Sequence, residues 1–355
     1  MLQIVSLETI TSSLYYTNLY WVYRVVYQVV YRAAEVLKGS LPLYHYSERM
    51  TYVSCTNDTL KLSLEELPLN DWRKSLNRTK VIFLDVDGTV ADNKHRVPES
   101  AVEAISAAAA GGHRIYLCTG RSKTERCDEI MELTGAEGLI CSYGAYVEAC
   151  GEILFHKTID AELCREICTY FENNGIEFYT ETCSGVFASK KLLEIGAPIF
   201  AAYQGREYAA ERAEEYIGIF FPKMQYGGPV VCEGVEKINY AIQKGSLFNR
   251  VREAFPQLTH GSWNGYAQDN TFGDIIPQGL SKADGIDAIL KHIGRGAEDA
   301  IAFGDTDNDI HMFKKAGFGV AMGNGTAGAK AAADYVTDSV NSDGLYKAFK
   351  HLELI

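Results

Sequence analysis

From Lys80 onward the chain alternates short β-branched runs with helical stretches, a rhythm that restricts it to a mostly parallel sheet with helices packed on its faces. Residues 81–84 read as a buried strand. A helix is expected from about Pro98 through the alanine-rich run 101–110, where Gly111 and Gly112 stop it. Residues 113–118 predict the next strand, 122–134 a helix and 139–142 a third strand. The same rhythm returns late in the chain: a helix at 281–292, a strand at 300–304, a helix at 307–315, then strands near 319–322 and 335–337.

Between about residues 159 and 271 the texture differs. Helices are expected at 161–173, 207–216 and 236–255, a strand at 177–182, and Trp263-Asn264-Gly265-Tyr266 carries the Asn-Gly centre of a tight hairpin. The expected fold class is therefore α/β: a doubly wound, mostly parallel Rossmann-like sheet from residues 79–158 and 272–355, interrupted by an α+β insert at 159–271.

Residues 1–78 form an appendage rich in Tyr, Leu and Ser, with a turn-like stretch at 54–59. Its residues 14–37 come nearest to a membrane segment but carry Arg24, Gln28 and Arg32 on one helix face and Tyr16, Tyr20, Tyr23, Tyr27 and Tyr31 on another. An amphipathic helix packed against its own protein fits this better than a transmembrane span; docking on a partner or a membrane interface is the alternative.

The formal charge of −12 gives a field that repels nucleic-acid backbones and anionic membranes, so neither is an expected partner. A phosphorylated substrate is repelled as well, and a site for one has to supply its own Lys, Arg or metal. Nine cysteines without a CxxC pair resemble reduced thiols rather than a disulfide framework, and no secretory signal is evident. A cytoplasmic location is the expectation. Cys164 and Cys168 stand four apart on an expected helix, but nothing near them in sequence completes a tetrahedral metal set, so packing is the reading.

Four motifs fall at the C-terminal ends of expected strands or open helices, where open parallel sheets bind ligands. In Asp85-Val86-Asp87-Gly88-Thr89, strand alternation puts both carboxylates on one side, suited to a nucleophile with metal-ligand character and a proton donor; an Asp-rich turn is the plainer reading. Thr119-Gly120-Arg121 offers a hydroxyl and free N–H groups to phosphoryl oxygens, or simply a helix cap. Lys282 stands at a helix start, where the helix dipole disfavours a cation unless an anion accompanies it; a surface lysine is the alternative. Gly304-Asp305-Thr306-Asp307-Asn308-Asp309 clusters the hard oxygen ligands that Mg²⁺ prefers, or is a solvated acidic helix start.

Together and in this order the four motifs resemble those of the haloacid dehalogenase superfamily. The stretches Cys118 to Arg121, Asp274 to Lys282 and Gly304 to Asp309 further resemble Cof-type phosphatases, which insert a large α/β cap of the C2 type between the second and third motifs. The similarity covers about residues 79–355. One departure is Tyr143 in Ser142-Tyr143-Gly144-Ala145, where relatives usually carry Asn.

The resemblance implies a Mg²⁺-dependent phosphatase acting on a small phosphorylated metabolite such as a sugar phosphate. Asp85 would form an aspartyl-phosphate, with Asp87 as acid and then base. Thr119, Gly120 and Lys282 would hold the phosphate. Mg²⁺ would sit between Asp85, the Asp87 carbonyl, Asp305 and Asn308, with Asp309 orienting its neighbours. A phosphomutase on the same core and a non-catalytic phosphate-binding module are the alternatives. Substrate choice would reside in the insert, where Tyr179, Arg206, Lys223 and Tyr266 have suitable chemistry.

Overall fold

A computed structural model describes residues 79–355 apart from residue 93 and residues 264–268, together with two strands earlier in the chain. Those two, β1 (Met50–Thr56) and β2 (Thr59–Glu65), pair antiparallel from Met50 opposite Glu65 to Thr56 opposite Thr59. The turn-like stretch at 54–59 falls where this pair closes. The amphipathic segment at 14–37 and the Asn264-Gly265 turn lie outside the described residues.

The main sheet begins with β3 (Val81–Leu84), α1 (Glu99–Ala110), β4 (Arg114–Cys118), α2 (Cys127–Thr134), β5 (Gly138–Cys141), β6 (Tyr146–Ala149) and β7 (Glu152–His156). The chain then passes through α3 (Ala161–Asn173), β8 (Phe178–Thr182), β9 (Gly185–Ala188), α4 (Leu192–Tyr203), α5 (Ala213–Gly218), β10 (Gln225–Tyr226), β11 (Val235–Ile242), α6 (Ser246–Ala254), β12 (Leu258–Ser262) and β13 (Thr271–Pro277). It returns with α7 (Lys282–His292), β14 (Ala300–Gly304), α8 (Ile310–Lys315), β15 (Phe318–Ala321), α9 (Ala327–Ala332), β16 (Tyr335–Val336) and α10 (Gly344–His351).

The main sheet has the order β16-β15-β14-β3-β4-β5-β6-β7 and is parallel from β16 to β5. Its first strand therefore lies in the middle, with β4 on one side and β14 on the other. The strand order reverses between β3 and β14, which opens the crevice where doubly wound sheets bind ligands. Both faces of β3 are covered, and its residues divide by alternation. Ile82 and Leu84 pack with Ala104 and Ile105 of α1 and Phe349 of α10, whereas Val81 and Phe83 pack with Ile286 and Ile289 of α7 and Phe313 of α8.

The second sheet, β10-β9-β8-β11-β13-β12, is antiparallel except for the β9–β10 pair and forms an α+β cap inserted into the doubly wound fold. Its strand β13 runs on to Pro277, past the division expected at residue 271. Cys164, Ile167 and Phe171 of α3 and Phe248 and Val251 of α6 pack against Ile238, Tyr240 and Ile275 of this sheet.

Several local expectations change. The helix expected at 236–255 is a strand, β11, followed by the short helix α6. Glu236, Lys237 and Asn239, expected within that helix, are all buried in the strand and carry hydrogen bonds or ion pairs. The helix expected at 122–134 begins only at Cys127, because Arg126 adopts a left-handed backbone (φ 61°) and the Glu125 carboxylate accepts the Ser122 N–H at 3.2 Å. Residues 207–216 hold a short 3₁₀ turn before α5. The helix α4 went unanticipated, since it has Pro198 inside it and apolar residues around most of its circumference.

Candidate active site

Asp85 follows β3 directly, and its N–H donates to the Phe303 carbonyl of β14 at 3.0 Å, tying the loop across the crevice. Lys282, the first residue of α7, is buried beneath it. Its Nζ donates to Asp85 Oδ1 at 2.6 Å and to Asp309 Oδ1 at 2.7 Å. A cation at a helix start thus finds two anions, as its position required. Ser281 caps the helix in a reciprocal box with Asp284, which fixes where the lysine departs.

Asp309 is fully buried and does more than meet Lys282. Its Oδ2 accepts from the Asp305 N–H at 3.0 Å, the Thr306 N–H at 2.9 Å and the Thr306 hydroxyl at 3.1 Å. It thereby shapes the loop after β14 and aims Asp305 toward Asp85. Asn324 Nδ2 assists from the far side, donating to the Gly88 carbonyl at 2.9 Å and to Asp305 Oδ2 at 3.3 Å. Gly88 has φ 85°, and a Cβ there would come within 2.2 Å of Asp305 Oδ2, so only glycine lets the two loops approach this closely.

Carboxylate oxygens of Asp85, Asp305 and Asp309 lie within 4.8 Å of one another. The Lys282 ammonium pairs with two of these three acids, Asp85 and Asp309. Burial, opposed in part by Lys282 and reinforced by Asp309 and Asp305, pushes the Asp85 carboxyl well above its ordinary range. Burial and Asp309 likewise push Asp305 up to about 7. Asp305 Oδ1 is buried with no hydrogen-bond partner. An excess of hard, buried, under-compensated oxygen fits a divalent cation such as Mg²⁺. Asn308, also expected to reach the metal, stands exposed on the turn Asp307–Asp309.

Asp87 sits in different company. The Arg121 guanidinium holds it with two nitrogens, Nε to Oδ2 at 2.8 Å and a short contact from Nη2 to Oδ1, and His95 Nδ1 is 3.2 Å from Oδ1. Desolvation works against the charge, but Arg121 and then His95 prevail and hold the Asp87 carboxyl below the usual carboxylate range. His95 has a left-handed backbone (φ 57°), and its ring packs edge-on against Phe220 of the cap at 4.5 Å.

Thr119 is buried, and its hydroxyl accepts the Arg121 N–H at 3.1 Å. The Gly120 carbonyl accepts from Lys237 of the cap at 3.0 Å. Lys237 Nζ also stands 3.2 Å from Glu125 and 3.1 Å from Glu181. The pairing of β11 with β8 slips between Val235 and Lys237, and this bulge lets two successive residues face the main sheet's loops. Glu236 uses it to accept the Ser142 hydroxyl at 3.0 Å and to approach His156 Nε2 at 2.9 Å. The cap is thus pinned beside the 119–121 loop by buried charges.

Tyr143 takes φ 55° between Ser142 at 48° and Gly144 at 99°. A Cβ on Gly120 would lie 2.7 Å from the Tyr143 ring, and one on Gly144 would lie 2.4 Å from the Ser281 carbonyl. The segment at 142–144 is therefore packed against both the expected phosphate loop and the start of α7. Among the cap residues with suitable chemistry, Tyr179 is buried in the cap interior, Arg206 pairs with Glu215 at 2.8 Å and Lys223 is exposed. Tyr266 lies outside the described residues.

The sequence motifs pointed to Asp85, Asp87, Thr119, Gly120, Lys282, Asp305 and Asn308, with Asp309 in support, and these lie at one edge of the main sheet, Asn308 exposed there. His95, Asn324, Glu125 and Lys237 were missed. Each acts through a partner remote in sequence or in an irregular loop, and no local pattern marks it.

Fold and site together define a doubly wound α/β protein with an acidic, cation-ready cluster at the switch point of its sheet and an inserted cap beside it. Residues 82–349 match the family model described as haloacid dehalogenase-like hydrolase, and the chain belongs to that family, in its Cof-type branch. It is 26% identical over 281 residues to the putative phosphatase YkrA of Bacillus subtilis, covering 78% of this chain and 99% of that protein. It is also 26% identical over 278 residues to the chloroplastic endoribonuclease YBEY of Arabidopsis thaliana, covering 75% of this chain but only 45% of that protein. Among solved structures, the subclass IIB sugar phosphatase BT4131 aligns with a TM-score of 0.62 and 29% identity, covering 78% of this chain and 100% of that one. No helix among the described residues is long and apolar enough to cross a membrane.

Proposed function

We propose that this chain is a magnesium-dependent phosphatase that hydrolyses a small phosphorylated metabolite through an aspartyl-phosphate on Asp85. The coarser statement, hydrolysis of a phosphate ester, rests on the family and on relatives named as phosphatases. The finer one rests on a single observation: the carboxylates of Asp85, Asp305 and Asp309 converge, Lys282 pairs with only Asp85 and Asp309, and Asp305 keeps a buried, unpartnered oxygen.

Asp85, Asp305 and the Asp87 carbonyl would hold Mg²⁺, with Asn308 reached directly or through water. Bound there, the ion supplies positive charge to the phosphoryl oxygens. Lys282 favours the charged form of Asp85 against its burial and aims it, and it offers a donor to the same oxygens. Thr119 and Gly120 provide the short turn that receives the phosphate. Asp87, held ionised by Arg121 and His95, is poised as a base toward the water that resolves the intermediate. For the first half-reaction it has to hold a proton for the leaving alkoxide, which requires the Arg121 contact to loosen when the ester enters. Phe220 against His95 brings the cap to this pair, so the remainder of the ester would be read there.

The test is Mg²⁺-dependent release of phosphate from a chromogenic ester by the full chain. Loss of release in Asp85→Asn supports the proposal, and unchanged release overturns it. Incubation with a hexose phosphate, scoring free phosphate against isomerised ester, separates hydrolysis from phosphomutase activity.

A further inference from the structure

Away from the candidate active site, three thiols converge inside the cap. Cys164 and Cys168 lie one turn apart on α3, and Cys232 arrives from the segment ahead of β11, 64 residues beyond Cys168. The three sulphurs lie within 4.8 Å of one another, and those of Cys168 and Cys232 are 3.8 Å apart. Thiolates that share one tetrahedral zinc at about 2.3 Å stand about 3.8 Å from each other, so the triangle is close to the size an ion needs. Cys164 and Cys168 are buried and Cys232 is half-buried, which leaves an approach from solvent past Cys232. The segment carrying Cys232 is held in place, since the Thr180 hydroxyl donates to the Val231 carbonyl at 3.0 Å.

We propose that Cys164, Cys168 and Cys232 form a binding site for one thiophilic divalent cation of the zinc type, with water completing the tetrahedron. Soft sulphur ligands select such ions over Mg²⁺, which keeps this site chemically separate from the carboxylate cluster. Binding converts three thiols to thiolates and releases their three protons to solvent, so affinity rises with pH. The ion would join α3 to the strand that carries Glu236 and Lys237, reinforcing the cap from the face opposite the active site.

The test is titration of the full chain, kept reduced by a phosphine, with Co²⁺. With Mg²⁺ in excess to occupy the carboxylate cluster, the expected result is a sulphur-to-cobalt charge-transfer band that saturates at one equivalent, has the intensity of three thiolates and is abolished by Zn²⁺. Asp85→Asn should give the same band, so the outcome is independent of the phosphatase reading. Cys232→Ser should weaken binding by at least about tenfold. A measurement on the unaltered protein guards against misfolding of that variant: Zn²⁺ should protect Cys232 from alkylation while Cys150 reacts at an unchanged rate. Absence of the band, equal alkylation of Cys232 with and without Zn²⁺, or a Cys168–Cys232 disulfide that forms while Zn²⁺ is present would each overturn the proposal.

Discussion

Arg121 grips Asp87 with two guanidinium nitrogens, and this pair decides the charge of the expected acid–base residue. Desolvation alone would favour the protonated carboxyl; the guanidinium and His95 reverse that and hold Asp87 below the usual range. Removing the guanidinium as Arg121→Gln should let the Asp87 pKa rise. The alkaline limb of kcat/KM, which falls as Asp87 loses the proton it owes the leaving alkoxide, should then move to higher pH. A pH–rate profile checks this, and an unmoved limb would show that Asp87 is not the group titrating there.

Lys282 is the only cation hydrogen-bonded to Asp85 and Asp309 among the described residues. Lys282→Met keeps the bulk but leaves two buried carboxylates uncompensated. Loss of one partner from such a group costs about 3–5 kcal/mol. Denaturant midpoints should fall accordingly. The addition of Mg²⁺ should recover part of the stability but little of the phosphatase activity.

Asp305 carries a pH dependence of the carboxylate cluster. Its folded pKa of about 7 lies above the ordinary 3.8, so the folded state holds its proton more tightly than the unfolded chain does. The contribution to stability is therefore full below 3.8 and is lost as pH rises through about 7. Without divalent ions the thermal midpoint should decline across that window. Mg²⁺ competes for the ionised form, so its stabilising effect should be small at the acid end and grow toward pH about 8. A Mg²⁺ effect equal at every pH would contradict this.

Tyr143 and Gly120 are coupled by contact. A left-handed backbone costs an ordinary residue about 1–2 kcal/mol, a cost that Asn carries more easily. The ring's packing offsets it, since removing an aromatic from such a place forfeits about 1.5–3 kcal/mol. Tyr143→Asn should therefore be mildly destabilising. Gly120→Ala, which drives a methyl into the ring, should be strongly destabilising alone and much less so in the Tyr143→Asn background. A coupling of about 1–2 kcal/mol in the double-mutant cycle is the expectation.

What the sequence made legible follows from what is local. Strand β3, its two aspartates and the glycine that turns the chain form one continuous pattern, and Lys282 was conspicuous because a helix start disfavours it. The misreading at 236–255 has a physical cause: Glu236 and Lys237 look solvated until Ser142, His156, Glu125 and Glu181 are brought to them from up to 112 residues away. His95 was overlooked for a similar reason, as its meaning depends on Arg121 and Phe220. Cys232 completed a thiol set that Cys164 and Cys168 alone did not define. Helix α4 escaped because its proline and apolar girth hide the usual amphipathic period.

The placement of β3 at the centre of its sheet has a consequence for synthesis. Asp85 leaves the ribosome early, but its partner Lys282 follows 197 residues later and Asp309 later still. Until those arrive, a nascent chain carries the proposed nucleophile without the ammonium or the carboxylate beside it. Chemistry on a phosphate ester thus cannot start on a half-made chain, and activity itself reports that the central sheet has closed around its oldest strand.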